Sequence, residues 1–108
     1  MTEPENFAIT AEWSDRDVVL IAAGELDVAA STGWNACVDE VLGQKPSSVT
    51  VDLSSTTFVD SSGLRMLLLL RRDLAEYNAR FALSNISSSV VRLLEVTGIT
   101  DLVSPPTS

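Results

Sequence analysis

The pattern of apolar and polar positions at the start of the chain predicts a β-hairpin. Residues 7, 9, 11 and 13 are all apolar and lie on one face of an extended chain, which is typical of a strand with one buried face. A polar turn at 14–17 precedes a continuous, β-branched run at 18–23, which predicts a second strand that ends at Gly24. We therefore expect two antiparallel strands in one sheet.

A helical pattern follows the hairpin. From residue 30 to residue 42, apolar residues recur at intervals of three and four positions, as on one face of an amphipathic helix. Asp27 precedes this segment as a candidate N-cap, because its carboxylate can accept hydrogen bonds from unpaired amides of the next turn. Gly43 is expected to end the helix in the left-handed conformation, since glycine has no Cβ to clash there.

The second half of the chain alternates strands and helices. We expect a buried strand at 49–53, a hydroxyl-rich loop at 54–59, a helix at 62–77 that Asn78 ends, a strand at 80–83, a helix at 87–97 and an edge strand at 99–103. A strand, a helix and a strand within about 35 residues imply a right-handed crossover and parallel pairing.

These elements predict an α/β fold with a single domain over 7–103. Its small mixed sheet has four or five strands, an N-terminal antiparallel hairpin followed by parallel strands, and is covered by three or four helices. Residues 1–6 are expected to form a flexible N-terminus and 104–108 a disordered tail.

Composition and charge disfavour several classes of function. The chain has 108 residues, 45% of them hydrophobic, which suffices for one domain with a core. Seven Lys and Arg against fifteen Asp and Glu give a formal charge of −8, which disfavours binding to nucleic acid or anionic lipid. The longest apolar run, 66–70, is far shorter than the ~20 residues of a membrane span, and the polar N-terminus lacks the features of a signal peptide. We therefore expect a cytoplasmic protein.

The side chains needed for most catalytic sites are missing from the sequence. The chain has no histidine, which removes the Ser-His-Asp and Cys-His arrangements and the commonest transition-metal ligand. The single cysteine, Cys37, lies in the first helical stretch and is interpreted as a small buried hydrophobe. Gly24 and Gly63 stand alone, so the sequence contains no phosphate-binding P-loop. We expect no enzymatic activity, no metal and no cofactor.

The richest chemical signal lies where the hydroxyl-rich loop meets the second helix. Asp60, Ser61, Ser62 and Gly63 stand at the start of a very apolar helix, whose first turn exposes unpaired amides and the positive end of the helix dipole. In the simplest interpretation, Asp60 or Ser61 only caps the helix. A serine nucleophile would need a general base that the sequence does not offer. The other interpretation is a hydroxyl that accepts a phosphoryl group from another protein, because a helix N-terminus stabilises a phosphate.

Four motifs together resemble a known family. They are Gly24-Glu25-Leu26-Asp27, then the hydrophobic-Asp-hydrophobic strand Val51-Asp52-Leu53, then Phe58-Val59-Asp60-Ser61-Ser62-Gly63-Leu64, then Asn85-Ile86-Ser87 with Val91-Arg92-Leu93-Leu94 and Thr97-Gly98-Ile99. In this combination, over about residues 7–103, the chain resembles the bacterial anti-sigma factor antagonists of the STAS domain class.

The resemblance implies a partner switch controlled at Ser62. In that family the unphosphorylated domain binds an anti-sigma factor, which is also a serine kinase of the histidine-kinase-like ATPase fold, and so releases a sigma factor. The kinase phosphorylates the serine before the glycine of the motif, here Ser62, and a PP2C-type phosphatase reverses the modification. A second function class stays open: a STAS subunit that docks on a transporter ATPase or a larger signalling assembly, without phosphorylation at Ser62.

The resemblance and the helix pattern give a predicted partner-binding surface, which comprises Asp27, Asp60, Ser61, Ser62, Gly63, Leu64, Arg65, Met66 and Leu69. Asp27 matches an aspartate that lies beside the phosphorylation site in the family, and a plain helix cap is the alternative. Met66 and Leu69 add more apolar surface than one packing face of a helix needs. Arg65 follows Ser62 by three residues, so its guanidinium can reach a phosphate across one helical turn; a solvated arginine is the alternative.

Overall fold

The computed structural model describes residues 7–97, which form a four-stranded sheet and three α-helices. The elements are β1 (Phe7–Ser14), β2 (Asp17–Leu26), a 3-10 turn (Val28–Ala30), α1 (Ser31–Gly43), β3 (Ser48–Val59), α2 (Ser61–Glu76), β4 (Arg80–Ser84) and α3 (Ser88–Thr97). The strand order is β1-β2-β3-β4, with β1 antiparallel to β2 and the other pairs parallel. The predicted mixed α/β fold is confirmed. The expected edge strand at 99–103 and both terminal segments lie outside the described residues.

The core lies against one face of the sheet. Burial alternates strictly along residues 17–22 of β2 and along the first half of β3, so that every second side chain there is enclosed. The helices supply the other side of the core because their apolar faces meet this surface. The fully buried side chains include Val18, Leu20, Val49, Leu53, Trp34, Val41, Leu67, Leu70 and Leu74.

Two strands are longer than predicted. Gly24 was expected to end β2, but the strand passes through it with a φ of 102° and continues to Leu26. The expected loop at 54–59 is the second half of β3, which spans 12 residues against the 10 of β2. The extra length is absorbed at two register shifts between these strands. Near the first shift, the buried hydroxyl of Thr56 donates to the carbonyl oxygen of Ala22 at 2.8 Å.

The first helix ends differently from the expectation. Gly43 is still part of α1, and the left-handed residue is Lys45, with a φ of 52°. The amides of Gln44 and Lys45 donate to the carbonyls of Val41 and Leu42 at 3.0 Å, which extends the helical turn past the glycine. Asn78, after α2, does adopt the left-handed conformation, with a φ of 60°.

The second helix is enclosed over a wider arc than its sequence pattern indicated. Met66 and Leu70 are buried with Leu67, whereas Leu68 is half-buried. Most of the additional apolar surface expected on α2 is therefore used for packing. In the part of the chain described, no helix combines the length and the hydropathy needed to cross a bilayer.

Candidate functional site

The ends of β2 and β3 bring two of the predicted site residues to one edge of the sheet. These parallel strands end in register, with Leu26 beside Val59. Asp27 and Asp60 each follow directly, and the Asp60 amide donates to the carbonyl oxygen of Leu26 at 3.4 Å. The two aspartates therefore leave the sheet side by side, at the carboxyl edge where ligands of parallel sheets commonly bind.

Both aspartates cap helical turns. An Asp60 carboxylate oxygen accepts from the Gly63 amide at 2.9 Å, and the Asp60 carbonyl accepts from Leu64 at 2.9 Å. In the same way Asp27 accepts from the Ala29 amide at 3.1 Å, at the start of the 3-10 turn that leads into α1. The expected capping role of Asp60 is thus present at α2, whereas Asp27 caps the 3-10 turn rather than α1 itself. Such side-chain caps satisfy amides that the helix leaves unpaired.

Gly63 lets the start of α2 press directly against the end of β2. A Cβ at this position would lie 2.0 Å from the carbonyl oxygen of Leu26 and 2.9 Å from its carbonyl carbon. No side chain fits in that space, because the atoms it would meet belong to the backbone. The contact joins the two sequence motifs, since Ser62 precedes Gly63 and Asp27 follows Leu26.

The two candidate phosphorylation sites differ in exposure. Ser61 is exposed, whereas Ser62 is half-buried beside Gly63. Asp27 and Asp60 are also half-buried. A hydroxyl at Ser62 is therefore placed within a compact surface formed by the ends of two strands and the beginning of a helix.

The remaining predicted site residues divide into core and surface positions. Leu64 and Met66 are 5% and 9% exposed, so they offer little surface to a partner and mainly pack α2 against the sheet. Leu69 is half-buried, and Arg65 is exposed one turn after Ser62. Of the apolar part of the predicted surface, only Leu69 keeps appreciable exposure.

Two exposed apolar residues near this site were missed in the sequence. Val28, next to Asp27, is 70% exposed, and Phe58, two residues before Asp60, is 50% exposed. Phe58 pairs in register with Glu25, so it projects from β3 near the strand ends. The sequence analysis predicted a loop at 54–59, so the alternation of buried and exposed strand positions was not applied to Phe58.

Asp52 connects the strand motif to the segment after β4. Its carboxylate accepts from the Ser54 amide at 2.9 Å and from the Asn85 side-chain amide at 3.0 Å. These hydrogen bonds, the one from the Ser54 amide foremost, hold the pKa of Asp52 below its usual value. The aspartate of the buried strand thus fixes the position of Asn85, which has a φ of 56°.

Comparisons with known proteins agree with the motif resemblance. The sequence model of the STAS domain matches residues 8–108. A STAS-domain containing protein of Pseudomonas aeruginosa (strain UCBPP-PA14) is 33% identical over 97 residues, covering 88% of this chain and 95% of that protein. The anti-sigma-F factor antagonist RsfB of Mycobacterium tuberculosis is 28% identical over 67 residues, covering 62% of this chain and 55% of RsfB. The match thus spans little more than half the length of RsfB.

Solved structures of the anti-sigma factor antagonist SpoIIAA show the same architecture. Its unphosphorylated form matches with a TM-score of 0.78 at 26% identity, covering 94% of this chain and 90% of SpoIIAA. Its phosphorylated form matches with a TM-score of 0.72 at 24% identity, covering 94% and 93% of the two chains. The chain therefore belongs to the STAS domain family, and its relatives include proteins named as anti-sigma factor antagonists.

Proposed function

We propose that this protein is an anti-sigma factor antagonist whose unphosphorylated form binds an anti-sigma factor and so releases a sigma factor. Phosphorylation of Ser62 by that partner, acting as a serine kinase, ends the complex, and a PP2C-type phosphatase restores it. The observation that supports the proposal most is the close approach of Gly63 to the Leu26 carbonyl, because Ser62 precedes Gly63 and Asp27 follows Leu26. The names of RsfB and SpoIIAA support it.

The proposed contact surface is centred on Ser62 and includes both polar and apolar groups. Asp27, Asp60 and Ser61 form its polar part, and the exposed Val28 and Phe58 add apolar area at the same end of the sheet. Exposed apolar side chains surrounded by polar groups are typical of protein interaction sites. Leu69 and Arg65 extend the surface along α2.

Phosphorylation would act on this surface through charge and desolvation. A phosphate adds about −1.5 to −2 charge at neutral pH. Glu25, Asp27 and Asp60 already carry carboxylates at the ends of β2 and β3, so the phosphate makes this surface still more negative, and a partner that covers it must remove the dianion from water. Converting a complex from nearly all bound to nearly all free takes about 5.5 kcal/mol. A dianion at the centre of an interface can supply a penalty of that order, whereas one exposed ion pair cannot.

Arg65 is proposed to moderate the switch. It is exposed one turn after Ser62, within reach of a phosphate on the same helix. We expect Arg65→Ala to weaken the partner affinity of the phosphorylated form further, because the phosphate loses a neutralising cation. The affinity of the phosphorylated form, compared between wild type and Arg65→Ala by calorimetry, tests this role, and equal affinities would refute it.

Four tagged proteins, recovered from the native cell with their partners, test the main proposal. They are the wild type, Ser62→Ala, Ser62→Asp and the matched control Ser47→Asp, which places the same charge on an exposed serine just before the start of β3. We expect Ser62→Ala to retain a histidine-kinase-like ATPase that Ser62→Asp loses. Ser47→Asp should retain it, because Ser47 lies outside the proposed contact surface and its charge can stay in solvent.

Two outcomes would contradict the switch. If all three substituted proteins retained the same partners as the wild type, the charge of Ser62 would not control binding. If a purified partner kinase phosphorylated Ser61→Ala and Ser62→Ala equally, the acceptor would not be confined to Ser62. Circular dichroism of each variant checks that a lost partner does not reflect a lost fold.

A further inference from the structure

The outer edge of β1 borders a groove with a mixed apolar and polar lining, which contains none of the residues proposed for the partner switch. Within the described residues β1 pairs only with β2, so its other edge has no neighbouring strand. The groove has a volume of about 680 Å³ and runs between β1 and α1. Its lining includes Phe7, Ile9, Ala11 and Trp13 from the strand, with Ala36 and Cys37 from the helix. Trp13 is 37% exposed, which is high for a tryptophan beside an apolar surface.

Within the described residues, the edge of β1 lacks most of the features that usually prevent strand addition, and Glu12 is its single charged side chain. Natural edge strands are commonly protected by lysine, by proline or by a bulge. The segment 7–14 contains no lysine, arginine or proline, and its register with β2 is unbroken from Phe7 to Ser14. The backbone of β1 is thus a regular template of eight residues.

The charges near the groove are mostly negative and favour a basic occupant; one cation, Arg16, donates to the carbonyl oxygen of Gln44, which lines the groove, at 3.5 Å. β1 and α1 together carry Glu12, Asp39 and Glu40 and not a single lysine or arginine. All three acidic residues are exposed, and Glu40 lines the groove itself. A second copy of the chain would bring the same three negative charges to the same edge, whereas a basic segment would be attracted to them.

We propose that the β1 edge and its groove bind an extended, basic and apolar segment of a partner protein by strand addition. The backbone of the segment hydrogen-bonds along β1, and its alternate apolar side chains enter the groove beside Trp13. Its lysines or arginines then lie near Glu12 and Glu40. This surface is separate from Ser62, so a partner held there stays bound whether or not the switch is phosphorylated.

Synthetic eight-residue peptides test the proposal on the full-length protein. The probe alternates valine and lysine. One control peptide replaces every lysine with glutamate, and another keeps all side chains but carries N-methyl groups on alternate amides, which removes the hydrogen-bond donors of one edge. Binding is followed by fluorescence anisotropy of a labelled peptide, and its location by hydrogen exchange at β1. We expect only the unmodified valine–lysine peptide to bind and to slow exchange in β1.

Matched substitutions distinguish peptide binding at the β1 edge from non-specific attraction of a basic peptide to an acidic protein. The double variant Glu12→Gln, Glu40→Gln is expected to weaken peptide binding about tenfold, because it removes the two charges beside the groove. The control Glu76→Gln, Glu95→Gln removes the same net charge from exposed positions on α2 and α3 and should leave binding within about twofold. Ser62→Asp should bind the peptide as wild type does, which distinguishes this surface from the switch.

Three results would overturn the proposal. Equal weakening by the two double variants would mean non-specific attraction. Undiminished binding of the N-methylated peptide would exclude strand addition. A concentration-dependent dimer, seen by sedimentation and abolished by Trp13→Ala, would mean that a second copy occupies the edge.

Discussion

Replacing Gly63 by alanine is the sharpest test of how this site is built. The new Cβ would lie 2.0 Å from the Leu26 carbonyl oxygen, and ordinary contact begins at 3.4 Å, so α2 and β2 must separate by about 1.4 Å. That displacement is close to the rise of one helical residue, about 1.5 Å. The Leu26 carbonyl group cannot rotate away because it belongs to the backbone, and the position of the new Cβ is fixed by the backbone of α2. The start of α2 must therefore move relative to Asp27.

The expected cost follows from two opposing terms. Overpacking in a dense interior costs about 1–3 kcal/mol, and the backbone contact at Gly63 points to the upper end of that range. Alanine is favoured over glycine inside a helix by about 1 kcal/mol, which offsets part of the strain. We expect Gly63→Ala to lower the free energy of unfolding by about 2 kcal/mol, or the melting temperature by about 10 °C in a domain of this size.

Gly43→Ala is the matched control for this experiment. A Cβ on Gly43, within α1, would meet nothing within 4 Å. The same chemical change should therefore leave stability unchanged or raise it by up to about 1 kcal/mol. Urea denaturation of the two variants gives the comparison. The reasoning about the Gly63 contact is wrong if both variants are as stable as the wild type. If the proposed function holds, binding of the anti-sigma factor, measured where both variants are folded, should be weakened only in Gly63→Ala.

Three further substitutions test other parts of the structure. Asp52→Asn should lower stability at pH 7 by less than about 1 kcal/mol, because the site is partly exposed. Since folding lowers the pKa of Asp52, its contribution is present above about pH 4 and is lost as the pH falls through the folded pKa; a difference that persists in denaturant titrations at pH 2 would contradict this. Thr56→Val should cost about 1–2 kcal/mol in urea denaturation, because the Ala22 carbonyl loses its partner, and an unchanged midpoint would refute that role. Burial, and secondarily Glu40, raises the pKa of the Cys37 thiol, so iodoacetamide should react more slowly than with free cysteine, and faster in Glu40→Gln; equal rates would contradict both effects.

Parts of the site that depend on neighbouring residues could be predicted from the sequence, whereas contacts between distant segments could not. The capping position of Asp60 and the start of α2 were accessible, because an N-cap depends on local chemistry a few residues long. The proximity of Asp27 and Ser62 came only from family resemblance, since nothing in the local pattern measures the distance between residues 35 positions apart. The burial of Met66 was not predicted, because the width of the covered arc depends on neighbouring elements.

The second half of β3 shows why a regular pattern can end while the strand continues. Along 49–53, burial follows a period of two, at Val49, Val51 and Leu53. Beyond that point the buried residues are Thr56 and Val59, three positions apart, because each register shift inserts one extra residue. Because the period of two is lost after residue 53, and because 54–59 is rich in hydroxyl groups, the prediction of a loop there was wrong.

The sequence by itself determined the α/β fold, the order of strands and helices, and the acidic charge of the chain. These properties follow from periodicity, turn chemistry and composition, which act over short distances or over the whole chain at once. Only the tertiary structure decided that Gly63 must lack a side chain, that Phe58 and Val28 lie exposed near Asp27 and Asp60, and that β1 has a neighbour on one side only among the described strands. Each of these depends on which atoms of distant segments meet, and close packing makes that outcome sensitive to shifts of about 1 Å.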